Sequence, residues 1–122
     1  MESPYKGKSG LRRIWNAFHY SLDGLCAAFR HEDAFRQELL LSAVLIPLGL
    51  WLGDSGLEKA MLVAPVLLLL VVELLNSAIE ATVDRISLDD HRLAKRAKDI
   101  SSAAVLISMV MLATIWLLVL FV

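Results

Sequence analysis

At 122 residues the chain has room for one small domain, and its 57% hydrophobic composition and mean hydropathy of +0.63 exclude an ordinary water-soluble fold. The near-neutral balance of 12 basic and 13 acidic residues argues against a nucleic-acid surface. With one cysteine, Cys26, no internal disulfide is possible.

Residues 1 to 10 read as a leader rich in Gly, Ser, Lys and Pro. Its Gly7-Lys8-Ser9 matches the end of a phosphate-binding P-loop, but Glu2 stands where that loop needs its first glycine. No apolar core with a cleavage site follows closely, so no removed signal peptide is expected. From Leu11 the apolar residues Leu11, Ile14, Trp15, Phe18, Leu22, Leu25 and Phe29 recur at intervals of three and four, with Arg12, Arg13, Asn16, His19 and Asp23 opposite. This predicts an amphipathic helix over 11–31, suited to the membrane interface or to packing on the protein's own spans.

A first span is predicted over 34–53, with Leu39 to Leu52 uncharged. Asp54-Ser55-Gly56 makes a turn, and the second span covers 57–85. Pro47 and Pro65 read as structural features tolerated within spans. A charged stretch from Asp84 to Asp99 precedes the third span, assigned to 100–122, which has twenty uncharged residues from Ala103 to Val122. Six basic residues precede the first apolar run, one (Lys59) lies in the first loop and five in the second. That asymmetry places the N-terminus and second loop in the cytoplasm and the C-terminus outside. The fold class is all-α integral membrane, an interfacial helix plus three transmembrane helices.

The second span carries a polar line, Glu73-Leu-Leu-Asn76-Ser77-Ala-Ile-Glu80-Ala-Thr-Val-Asp84-Arg85. At about 100° per residue Glu73, Glu80 and Asp84 share one face. Ahead of Glu73 lie thirteen uncharged residues, Ala60 to Val72, and an ionisable group so deep is costly and marks function. Structural ion pairs between helices are the plainer reading of the same acids. Glu73 and Glu80 are about 10 Å apart along the axis, far enough to do different jobs. Glu80, nearer the cytoplasm, suits a hard cation, with Glu32 as a possible second ligand. Glu73, deeper and desolvated, suits a general base acting on a hydroxyl. A proton or cation pathway would use similar acids. Glu32, Glu38, Glu73, Asn76 and Glu80 would be poorly shielded from lipid in one monomer, so an oligomer is expected.

The run Val72-Glu73-Leu74-Leu75-Asn76-Ser77-Ala78-Ile79-Glu80-Ala81-Thr82-Val83-Asp84-Arg85-Ile86, followed by Arg96-Ala97-Lys98-Asp99-Ile100-Ser101-Ser102-Ala103-Ala104-Val105, resembles the signature of the small bacterial integral-membrane diacylglycerol kinases. Tyr20-Ser21, Gly24-Leu25, Glu32, Ala34-Phe35-Arg36-Gln37-Glu38 and Trp116 extend the resemblance over nearly the whole chain. It implies a homotrimer in the bacterial inner membrane with active sites shared between subunits, and transfer of phosphate from ATP to diacylglycerol to give phosphatidic acid. By position, it implies Glu73 as general base and Asn76 as a catalytically important polar residue. Glu32 and Glu80 are then the ligands of a divalent metal, Mg2+. Arg13, Tyr20, Asp89, Asp90, His91, Lys98 and Asp99 fall on the nucleotide side. Arg13, Ala17, Glu38, Glu73, Ser102 and Trp116 fall on the lipid side. Two departures stand out: Ser101, where the family often has glycine, and the linker Ser87-Leu88-Asp89-Asp90. Undecaprenol kinases belong to the same family, so that lipid is an alternative acceptor. A small oligomeric ion or proton transport subunit is the alternative outside enzymes. His19 and His31 read as solvated or headgroup-facing, and from the residues alone Trp15, Trp51 and Trp116 read as interface or packing residues.

Overall fold

A computed structural model describes residues 10–86 and 92–122. These form four helices, α1 (Gly10–His31), α2 (Asp33–Leu52), α3 (Gly56–Ile86) and α4 (Arg92–Phe121), with no strand among the described residues. The chain divides into two compact units, the first ending at Glu32 and the second running Asp33–Val122.

In the first unit, α1 has the expected two-sided pattern. Leu11, Ile14, Trp15, Phe18, Leu22, Leu25 and Phe29 leave one apolar stripe exposed. Arg30 and His31 occupy its last turn, where positive charge complements the helix dipole. The Glu32 N–H still donates to the Ala28 carbonyl at 2.9 Å, so the helical bonding runs one residue past the helix end.

In the second unit, α2, α3 and α4 are each long and apolar enough to cross a membrane. The helices are the structure lipid requires, since they bond their backbone N–H and C=O groups internally. Helix α3 is central and packs against both α2 and α4. The turn before it is capped: Ser55 Oγ accepts from the Glu58 N–H at 3.1 Å, and Glu58 Oε1 accepts from the Asp54 N–H at 3.5 Å. This is a variant of the capping box, which ends α2 and starts α3 within a few residues. Both prolines lie inside helices, Pro47 in α2 and Pro65 in α3. Beyond expectation, α4 begins at Arg92 and takes in the charged residues ahead of the third span.

One stripe of α3 is buried, and its chemistry changes halfway along. Leu62, Pro65, Val66 and Leu69 are followed, at the same helical spacing, by Glu73, Asn76 and Ser77. The facing stripe of α4 is Ser101, Val105, Ser108 and Leu112. Val66, Leu69, Val105 and Leu112 form the core, with Leu45, Ile46, Val72 and Trp116 packed around it. On α2 the buried positions are Phe35, Glu38, Ser42 and Gly49. The apolar half is held by van der Waals packing, because lipid offers no hydrophobic drive between helices. The polar half needs partners for its oxygens and nitrogens, and it contains the candidate site.

Candidate functional site

Down one face of α3 the three acids pass from buried to exposed: Glu73 is 3% exposed, Glu80 is half-buried, and the Asp84 side chain is 50% exposed. A helical rise of about 1.5 Å per residue spreads them over about 16 Å. This face therefore carries carboxylates from the packed interior to the charged end of the bundle.

Asn76 ties this face to α4. Its Nδ2 donates to Glu80 Oε1 at 3.4 Å, and its Oδ1 accepts from the Ser101 hydroxyl at 2.7 Å. The same hydroxyl lies 3.0 Å from the Lys98 carbonyl, so its single proton is shared between two acceptors and favours the shorter contact. Ser101, read as a departure from the family pattern, thus has a partner in the structure. The signal for it was chemical rather than positional: a buried amide has four hydrogen-bonding sites to satisfy, and Glu80 meets only part of that demand.

From α2, Glu38 is 6% exposed and lies within electrostatic reach of Glu73. Ser42 Oγ donates to the Glu38 carbonyl at 2.8 Å. Two acids from adjacent helices therefore meet in the polar half of the unit, where low dielectric strengthens their interaction. Glu38 Oε2 and Ser77 Oγ are buried without a hydrogen-bond partner among the described residues.

At the charged end, Lys98 pairs with Asp84 and also feels the charge of Glu80, while Lys95 pairs with Asp99 at 2.6 Å. Ser102 is exposed beside these residues. Trp116 lies elsewhere. Its indole N–H donates to the Leu62 carbonyl at 2.9 Å, and Leu62 is eleven residues, or about 16 Å of helix, from Glu73. Within the first unit, Arg13, Ala17 and Tyr20 follow one another at helical spacing on the side of α1 opposite the apolar stripe, and Glu32 follows its last residue, half-buried. Arg13 and Ala17 line a shallow depression with Gly10 and Ile14. Asp89, Asp90 and His91 lie outside the described residues. The second unit thus brings together Glu38, Glu73, Asn76, Glu80 and Lys98, and leaves Trp116 apart from them.

Among the described residues no three of His, Cys, Asp or Glu cluster as a metal cage. Mg2+ does not need one, because it uses one or two protein carboxylates and completes its shell with phosphate oxygens and water. Glu80, half-buried and hydrogen-bonded to Asn76, is an oxygen donor of that kind.

The chain matches the prokaryotic diacylglycerol kinase family over residues 19–120. It belongs to that family. It is similar to the diacylglycerol kinase of Pseudomonas aeruginosa, 55% identical over 114 residues that cover 93% of each chain. It is also similar to those of Haemophilus influenzae, 44% identical over 88% of this chain and 92% of the other, and Escherichia coli, 43% identical over 92% of each. This family member is therefore a lipid kinase with several membrane-spanning helices. For such a kinase the mixed stripe of α3 has a chemical logic. Phosphoryl transfer to a membrane lipid needs charged groups near water for a triphosphate and a proton acceptor near the bilayer for a hydroxyl.

Proposed function

We propose that this kinase transfers the γ-phosphate of ATP to the free hydroxyl of diacylglycerol, giving ADP and phosphatidic acid. The observation that carries the reading is the burial gradient down α3, in which Glu73 is enclosed and Glu80 is half-buried on the same face. Glu73 accepts the proton of the lipid hydroxyl as its oxygen bonds to the γ-phosphorus, and the bond from that phosphorus to the β,γ-bridging oxygen breaks. Asn76 fixes the Glu80 side chain and links it to α4. Glu32 and Glu80 would hold a divalent cation such as Mg2+, whose contribution is to neutralise charge on the triphosphate oxygens. Lys98 serves the phosphates, and Asp99, with Arg13, Tyr20 and the 89–91 segment, serves the rest of the nucleotide. Glu38 and Ser102 face the lipid headgroup with Arg13 and Ala17, and Trp116 contacts the lipid farther along its length. The active form is a homotrimer in the inner membrane, with sites completed by neighbouring copies and with the charged ends of α3 and α4 in the cytoplasm.

The test is transfer of labelled γ-phosphate from Mg-ATP in mixed micelles offering diacylglycerol and undecaprenol side by side. Labelled phosphatidic acid as the main product supports the reading. Dominant undecaprenyl phosphate would move the acceptor to a prenol, and no transfer from assembled protein would overturn the kinase mechanism assigned to these residues.

A further inference from the structure

Asp84 is the third acid on the α3 face, and the mechanism above gives it no task. It forms an ion pair with Lys98 across the α3–α4 junction, and the two side chains are 50% and 41% exposed. Exposed pairs of this kind add little to stability, so holding the fold together is a weak account of it. Its effect on Lys98 is larger. A lysine ammonium sits on a flexible stem and loses much rotamer freedom when it is fixed. It has three N–H donors, and one spent on Asp84 leaves two for other acceptors. The surroundings favour this pairing, because Asp99, the acid next in sequence, pairs with Lys95, while Glu80 attracts Lys98 from the same side as Asp84.

We propose that Asp84 is a positioning residue for nucleotide binding: by anchoring the Lys98 ammonium beside Glu80, it presents two remaining N–H donors where the triphosphate docks. The inference rests on the kinase reading above, and in particular on Lys98 meeting the phosphates. Asp84 stabilises the bound nucleotide indirectly, by removing the ordering cost that Lys98 would otherwise meet at binding.

The experiment uses the full-length protein in micelles and reads both Mg-ADP binding and γ-phosphate transfer. Asp84→Asn is expected to weaken Mg-ADP binding and raise KM for Mg-ATP by about tenfold, equal to about 1.4 kcal/mol at 25 °C, with kcat changed less than about twofold. Asp84→Glu, which keeps the charge, restores most of the affinity. In a Lys98→Ala background, Asp84→Asn adds no further loss, since the residue it acts through is gone. Equal losses in both backgrounds, or a fall in kcat at unchanged KM, would overturn the inference. If Mg-ADP binds with the expected pattern but no phosphate reaches lipid, the Asp84 inference stands and the lipid-kinase mechanism fails. If the wild-type protein binds no Mg-ADP, both fail.

Discussion

The Ser101 hydroxyl sits 2.7 Å from Asn76 Oδ1, and this bond joins α3 and α4 at the level of the α3 acids. Both residues are buried, and one end of the Asn76 amide is already committed to Glu80. Ser101→Ala therefore leaves a buried acceptor short of a donor. A loss of about 1 kcal/mol is expected, within the range for interhelical bonds in membranes. Denaturant titration in micelles measures it. Asn76→Leu should cost more in turnover than in stability, because the Glu80 carboxylate loses its guide while the branched shape of the side chain is kept. Equal activity in Asn76→Leu and the wild type would show that Glu80 needs no such orientation.

Glu73→Gln keeps the side-chain shape and removes the proton acceptor. Turnover should fall by a hundredfold or more, the contribution typical of a general base. Mg-ADP affinity and the oligomeric state should stay as in the wild type, because Glu80 and Lys98, the groups proposed for the metal and the phosphates, lie toward the other end of the acidic face. Near-normal turnover would refute Glu73 as the base.

Glu80→Gln preserves an oxygen that can accept from Asn76 and deletes the charge that a hard cation seeks. The Mg2+ concentration for half-maximal activity should rise by about tenfold or more, the scale of other perturbations around metal sites. Chelator should abolish wild-type transfer and added Mg2+ should restore it. Unchanged Mg2+ dependence in the variant would remove Glu80 from the metal site.

The polar line of α3 was legible because helical spacing is arithmetic: residues seven and eleven apart share a face wherever the helix is straight. The two-sided α1 was legible for the same reason, and the three spans because uncharged runs long enough to cross a bilayer stand out in the sequence. The start of α4 was not. Arg92 to Asp99 reads as a linker when apolar runs alone mark the spans, yet Leu, Ala, Lys and Arg are strong helix formers, and the helix begins with them. The Asp84–Lys98 pair could not be read either, since it depends on how α3 and α4 cross. Trp116 illustrates the same limit. Sequence alone offered the membrane interface or packing, and resemblance offered the lipid, but its hydrogen-bond partner is a backbone carbonyl 54 residues away.

That contact yields a prediction that separates stability from chemistry. Pro65 has no N–H for the Met61 carbonyl one turn before it, and Trp116 bonds the next carbonyl along, that of Leu62. Gly49 of α2 closes the arrangement: a Cβ there would lie 3.0 Å from Leu62 Cβ and 3.4 Å from Trp116 Cζ2. Three helices therefore meet where one of them has no side chain. Gly49→Leu must push α2 from α3 or drive Trp116 off its carbonyl, and overpacking of this kind costs about 1–3 kcal/mol. Trp116→Phe removes the donor while keeping an aromatic ring, and should cost about 1 kcal/mol. Both losses are measured by denaturation in micelles, alongside kcat per folded molecule. Because Leu62 is about 16 Å of helix from Glu73, kcat for Gly49→Leu should remain within about twofold of the wild type while stability falls. A collapse of kcat at unchanged stability would mean that this end of the bundle acts on the phosphoryl transfer itself, beyond the lipid contact proposed for Trp116.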